Sequence, residues 1–376
     1  MKAIKDQTIL VSGASIAGLS AAWWLDHTGY RVTVVEQAAA PRTAGGAVDL
    51  TAEAINITKR MGLYRQFKSH QLGVDRIEFK NGDDVTEGSM VLRDAKDGQV
   101  PENDEIEIER DKFVKVMRIA FGDRVEFIFN DSVTALEEQD DGALASFKQA
   151  APRTFDLVIG CDGSHSNIRK RCFGPESDYA VFLGAYFSIS IVRGLLVPER
   201  TMQLYRMPYR SIMVNAYSGK TDIIFTYLSG QELAYDYRDI VQQQQMISDQ
   251  FAGKGWRTDE LLEKVKRSGN FYFDRFCQIK MPCWSKGRVA LVGDAAYCAS
   301  PAAGQGGSLS LLGAAALAEA LQQHDGIHQA AFKAYETSLR PHIEAVQAMA
   351  ASNVKENFML TSDEEIRQRN REARLF

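Results

Sequence analysis

The chain has little of what cross-links a small fold or cuts a long one into linkers: five cysteines and nine prolines stand among 376 residues. The cysteines (Cys161, Cys172, Cys277, Cys283, Cys298) are odd in number and match neither a Cys-x-x-Cys redox pair nor a zinc-ligand spacing. Free thiols in a reducing cytoplasm are the expectation. No apolar run approaches the roughly 20 residues that span a bilayer, and the opening "MKAIKDQTILVSG" lacks an export h-region, so no membrane partner is expected. Neither charge dominates. Lys and Arg total 44 against 49 Asp and Glu, a net charge of −5, which argues against a nucleic-acid partner. The basic tail "RQRNREARLF" is short and reads as a solvated helical end. The six histidines are scattered, no Ser-His-acid signature occurs, and no repeat of fixed period is visible. His324 and His328 flank Asp325–Gly326 and read as exposed helix ends rather than as a metal pair. No metal is expected, and the chain is read as a monomer or weak dimer.

What is present is a βαβ opening. "QTILVSG" is a short apolar strand running into Gly13, "IAGLSAAWWLDHTG" has helical periodicity and stops at Gly29, and "YRVTVVEQ" is a second strand. Gly13, Ser15 and Gly18 hold the three positions of the G-x-G-x-x-G pattern that lets a backbone approach a pyrophosphate. Serine replaces the middle glycine, and its hydroxyl can itself meet a phosphate oxygen. Glu36 ends the second strand, where an acid takes ribose hydroxyls. A dinucleotide site is the better reading of this pattern than a glycine-packed turn.

Two later junctions narrow the choice. "FDLVIGCDGSHSNIRKRC" is a buried strand breaking at Asp162–Gly163 into a helix capped by Ser164 or Ser166. "KGRVALVGDAAYCASPAAGQGG" is a strand, Arg288 to Val292, that delivers Asp294 to its carboxyl end, where ligands sit in a doubly wound sheet. A carboxylate there can bind the hydroxyls of a flavin's ribityl chain. Gly304, Gly306 and Gly307 open the following apolar helix, whose positive end can face a flavin's pyrimidine edge.

These motifs resemble the FAD-dependent aromatic hydroxylases, the flavoprotein monooxygenases of the para-hydroxybenzoate hydroxylase type. The resemblance rests on "GASIAG" with Glu36, on "CDGSHSNIRK" and on "GDAAYCASPAAGQG", and it covers about the first 330 residues in order. It implies a Rossmann-like α/β FAD-binding domain, an inserted and mostly antiparallel β-sheet substrate domain, and C-terminal helices. It places Gly13, Ser15, Ala17, Gly18 and Glu36 on the ADP half of FAD. Asp162 and Gly163 would serve FAD and a transient NADPH or NADH, Asp294 the ribityl and pyrophosphate region, and Pro301, Gly304, Gly306 and Gly307 the isoalloxazine. Arg110 and Arg42 match cofactor-contacting arginines, with surface ion pairs as the alternative. Within the family, "GGAVDL", the run from "YFDRFCQ" to "AAGQG", and "YETSLRPHIEA" look most like the enzymes that inactivate tetracyclines, which implies a part in antibiotic resistance.

Between the middle and last motifs, Ala180 to Leu228 alternates in strand fashion with turn signals at Pro208 and Ser218–Gly219. Two helical stretches follow, and Pro341 starts or kinks a long helix after "HQAAFKAYETSLR". The expected division is residues 1–73, 93–175 and 270–330 for FAD, 74–92 and 176–269 for substrate, and a helical segment 331–376. Tyr186, Gln203, Tyr205, Met213, Phe225 and Pro301 are the substrate-binding candidates, with Phe182, Tyr217 and Tyr227 beside them and Arg206 or Arg193 as anchors for a phenolate or enolate oxygen. Strand alternation sends about half of such residues inward.

The resemblance implies an NAD(P)H-consuming monooxygenase that hydroxylates a phenolic or tetracycline-like polyketide aromatic with molecular oxygen through a C4a-hydroperoxyflavin. The cofactor then carries the chemistry, and no catalytic side chain is assigned. A flavin-fold protein that sequesters an aromatic ligand without turnover is the alternative.

Overall fold

The computed structural model describes residues 4–41, 45–92, 105–357 and 360–373. Two large sheets organise it. The first has six strands in the spatial order Ser285–Lys286, Val289–Leu291, Leu157–Gly160, Thr8–Ser12, Arg31–Glu36 and Glu126–Phe129. All its pairings are parallel except that of the two-residue edge. Consecutive residues such as Ile9, Leu10 and Val11 are all fully buried, so the central strands are covered on both faces, as parallel sheets require. The chain leaves four of these strands at one edge. Gly13, Glu36, Asp162 and Gly293–Asp294 therefore converge there from well separated parts of the sequence.

The helix Ile16–His27 has nine buried residues and packs against the helix Gly306–Gln323. The turn before it runs close to the neighbouring strand end because of Gly13, at φ +103°, where a Cβ would lie 2.6 Å from the Cys161 carbonyl oxygen. The middle-motif helix is Asn167–Cys172, and of the two serines proposed as its cap it is Ser166 that accepts from the Arg169 N–H at 3.0 Å.

The second sheet has seven strands in the order Phe271–Ile279, Ala180–Arg193, Lys220–Leu228, Arg210–Tyr217, Thr201–Met207, Arg76–Lys80 and Thr86–Val91. Only the contact between Thr201–Met207 and Arg76–Lys80 is parallel. Ser218 and Gly219, both at positive φ, make the tight hairpin turn that matches strand twist. Phe271–Ile279 is hydrogen-bonded into this sheet, although the sequence reading ends the inserted unit at residue 269.

One face of this sheet carries Tyr186, Ile212, Val214, Ile223 and Phe225 under the helices Ile240–Phe251 and Thr258–Arg267. The opposite face looks back toward the carboxyl edge of the first sheet. The helix His328–Asn357 is continuous through Pro341. The helix Asp363–Arg371 then docks on the second sheet through buried Ile366 and Asn370, so the basic tail is only partly a solvated end. No helix among the described residues is long and apolar enough to cross a membrane.

Candidate functional site

Between the two sheets lies a cavity of about 1110 Å³. Single small-molecule sites run to about 300–1,000 Å³, so this one has room for a large ligand and part of a second. Its lining joins residues from all three glycine-bearing motifs to the inner face of the seven-stranded sheet.

At the nucleotide end, Gly13, Ser15, Ala17 and Glu36 line the wall. Gly18 does not line it. A Cβ there would collide with the Gly13 carbonyl, so Gly18 acts by letting the helix close on the turn. Glu36 accepts the Ala14 N–H at 2.8 Å through one oxygen and the Ala38 N–H at 2.9 Å through the other, which fixes the carboxylate at the strand end. Arg110 opens its helix and donates to the Ser15 hydroxyl at 3.3 Å, bringing a cation to the first turn. Arg42 lies outside the described residues.

Asp162 lines the cavity with Gly163, but its carboxylate is engaged locally. It accepts the Ser166 hydroxyl at 2.5 Å and the N–H groups of Asn167 and Ile168 at 2.8 and 3.0 Å, closing the start of a helix. Beside it, Arg169 is 1% exposed and ties three segments together. Its guanidinium donates to the carbonyls of Ala295 and Ser164 and to Glu176. Arg169 was legible only as part of the "SNIRK" string.

Asp294 opens a one-turn helix after Gly293, whose φ is +69°. Its carboxyl faces the cavity. Burial pushes it up in pKa, and the charge of Arg110 pulls it back. Pro301 sits in a short turn behind Ser300, and Gly304 closes that turn at φ +66°. Gly306 and Gly307 begin the long helix without a side-chain cap, leaving N–H donors at the cavity edge. The Ser308 hydroxyl accepts from the Thr51 N–H and donates to the Asp49 carbonyl, both at 2.9 Å, which clamps the "GGAVDL" segment to this helix start. Burial and Glu105 raise the Asp49 carboxyl to about 6.

The donor set fits FAD. A pyrophosphate needs the glycine turn and the uncapped helix starts, a ribose needs a fixed acid, and a ribityl chain needs the Asp294 carboxylate. All of these border one continuous cavity.

Of the residues proposed for substrate, Met213 and Pro301 line the cavity, and so do Tyr227 and Arg206. The structure turns Tyr186, Gln203, Tyr205 and Phe225 away from it. Tyr186 accepts the Leu233 N–H at 2.7 Å, Gln203 donates to Glu78 at 2.9 Å, and Tyr205 donates to the Lys254 carbonyl at 2.8 Å. Phe225 packs edge-on against Phe251 at 4.8 Å. Phe182 joins the same core, the Tyr217 hydroxyl donates to Asp222, and Arg193 is exposed at a strand end. The cause is the period of two. Helices cover the aromatic face, and the residues one position away, Phe187, Ile189, Met202, Leu204 and Ile224, meet the cavity.

Charged groups at the mouth were also missed. His165 lies 3.0 Å from Glu176 and 3.6 Å from Asp274, and hydrogen bonding to these two acids raises its imidazole to about 10. Arg275 donates to Glu176 at 2.9 Å and pairs with Glu232. At the far end of the sheet, burial lowers the Arg206 guanidinium to about 10 while it donates to Asn370 at 3.2 Å.

Comparison with known proteins agrees with this geometry. Residues 6–350 match the FAD binding domain family. An uncharacterised protein of Mycobacterium tuberculosis is 36% identical over 93% of this chain and 94% of its own. A flavin-dependent monooxygenase of Legionella longbeachae is 32% identical over 96% of this chain and 91% of its own. The crystal structure of the tetracycline destructase Tet(51) superimposes with a TM-score of 0.85 at 33% identity, covering 97% of this chain and 95% of that one. The chain belongs to the FAD binding domain family, among the FAD-dependent monooxygenases of the aromatic hydroxylase type.

Proposed function

We propose that the protein uses NADPH or NADH to reduce bound FAD and then inserts one oxygen atom of O₂ into a phenolic or polyketide aromatic, with a tetracycline-like ring system as the leading class. The observation that carries this reading is the single cavity that runs from the nucleotide-binding edge of one sheet to the apolar inner face of the other. The likeness to a protein described as a tetracycline destructase supports the choice of substrate class.

Residue roles follow from position. Gly13, Ser15, Ala17 and the turn that Gly18 allows hold the pyrophosphate, Glu36 the adenosine ribose, and Asp294 the ribityl chain. Arg110 offsets the charge gathered there. Pro301, Gly304, Gly306 and Gly307 leave space for a flat ring. Bound flavin would supply the two-electron reduction and the activation of dioxygen. The protein then has to orient the substrate ring and exclude water, and Phe187, Ile189, Met202, Leu204, Met213 and Ile224 give the apolar wall that does so. Asp162 and Gly163 remain the proposed meeting point for the nicotinamide cofactor, with Gly163 offering its backbone because the Asp162 carboxylate caps a helix. Five free thiols fit a reducing cytoplasm. Each chain carries a whole cavity, which is consistent with a monomer or weak dimer.

The test is NADPH oxidation by FAD-loaded protein in air, with and without tetracycline. Ring-stimulated oxidation with an oxygenated product supports the reading. Oxidation that no aromatic stimulates, with no oxygenated product, rejects it.

A further inference from the structure

The wall offered by the seven-stranded sheet is not uniformly apolar. At the end beside Gly46, Asn215 and Asp222 stand directly opposite each other on neighbouring strands, and both line the cavity. Asp222 is 3% exposed and Asn215 is 8% exposed. The Tyr217 hydroxyl donates to Asp222 Oδ1 at 2.7 Å. Asp222 Oδ2 is turned toward Gly46, where a Cβ would stand 3.9 Å away, and no hydrogen bond from the described residues reaches it. Asn215 Oδ1 is buried and also has no partner among them. Lys220, whose charge acts on Asp222, is itself held by Glu109 at 2.5 Å. One carboxylate oxygen of Asp222 is thus left without a partner on the cavity wall, beside the Asn215 amide, whose Oδ1 is buried and equally unmet. Leaving a buried acceptor unmet costs about 1–3 kcal/mol.

The other end of the wall has the opposite sign. Arg206 lines the cavity there, four positions along its strand from Met202, the partner of Asn215, while Arg210 beside it is drawn to Gln250 of the covering helix at 2.8 Å. At about 3.3 Å per residue, that separates the two ends by roughly 13 Å. Methionine and aliphatic side chains fill the interval.

We infer that Asp222 and Asn215 form a donor-reading subsite. The substrate is then an extended ring system that presents an N–H or O–H group, and not a carboxylate, to this end. The inference rests on the proposed function, because it places the oxygenated ring in this cavity. Its physical basis is asymmetric. A donor would satisfy the free Asp222 oxygen, whereas a carboxylate would bring a second anion against it inside the cavity, where repulsion is less screened than in bulk water.

The test uses oxidised FAD-loaded protein without reductant and follows the flavin absorbance on titration with two probes of one skeleton, 6-amino-2-naphthol and naphthalene-2,6-dicarboxylate, which carries a carboxylate at both ends. The wild type should bind the aminonaphthol about tenfold or more the tighter, the value of one charge-assisted bond. Asp222→Asn should bring the two within about threefold, and Asn215→Leu should weaken the aminonaphthol by about tenfold, with FAD affinity unchanged in both. Equal binding by the wild type, preference for the dicarboxylate, or no binding of either overturns the inference. So does an Asp222→Asn variant whose only change is in FAD affinity, since the carboxylate would then serve the cofactor. No turnover is needed, so failure here is separate from failure of NADPH-driven oxygenation, which counts against the proposed function.

Discussion

Replacing Asp294 by Ala should separate cofactor binding from folding. The carboxylate stands at the end of a buried strand, faces the cavity, and has its pKa raised by burial, with Arg110 as its main electrostatic support. A raised carboxyl pKa means that the ionised form is disfavoured in the folded apoprotein. Removing the group therefore costs the apoprotein nothing electrostatically at neutral pH and relieves a desolvated charge. In the holoprotein the same group would accept ribityl hydroxyls, a charge-assisted contact worth about 1.5–3 kcal/mol. Asp294→Ala should thus weaken FAD by about ten- to hundredfold, while the thermal midpoint of the apoprotein stays level or rises. Asp294→Asn, which keeps the shape and loses the charge, should fall between Ala and wild type. Flavin fluorescence quenching on titration of apoprotein gives the affinity, and calorimetry gives the midpoint. FAD affinity unchanged within about twofold, together with a less stable apoprotein, would make Asp294 a structural residue and refute the reasoning.

Two further variants probe the parity of the sheet and the charges at the mouth. Phe225→Ala should cost about 3–5 kcal/mol of unfolding free energy in urea, because the ring is fully buried against Phe251, while Met213→Ala should cost less and instead weaken the flavin-absorbance response to tetracycline; a Phe225 variant of unchanged stability would contradict the assigned face. His165 should stay protonated at neutral pH. Its folded pKa, raised to about 10 from 6.5, makes its pairing with Asp274 and Glu176 stabilise fully below about 6.5 and fade as pH climbs toward 10. The ring is 56% exposed, so solvent screens the effect, and the wild type should show only a small advantage over His165→Gln near pH 6 that vanishes near pH 10. An imidazole titrating at its ordinary value would remove the pairing.

The cofactor side was legible because its geometry is written in residue types. Gly13, Gly293 and Gly304 adopt positive φ, and Gly18 and Gly307 sit where a Cβ would strike a neighbouring segment, so glycine recurs wherever the backbone must turn or close up. Glu36 and Asp294 end strands, and strand ends converge in a parallel sheet. The substrate side was illegible for an equally plain reason. Both faces of the inserted sheet are apolar, so alternation gives two sets of residues without saying which set the helices cover. Choosing by aromatic character selected Tyr186, Tyr205 and Phe225, the set that packs beneath Ile240–Phe251 and Thr258–Arg267. Asn215 and Asp222 carry no local signal at all, since they meet only through hairpin register. Asp162 shows the intermediate case. Its motif was found, yet its carboxylate serves the adjoining helix start.

Monooxygenation is tested most directly by following the oxygen atom itself. FAD-loaded protein, NADPH and tetracycline are incubated under isotopically heavy dioxygen in ordinary water, and the product is weighed by mass spectrometry. The product should carry one heavy oxygen atom and form only when FAD and NADPH are both present, with Asp294→Ala restored by excess FAD. A product whose added oxygen comes from water would contradict monooxygenation.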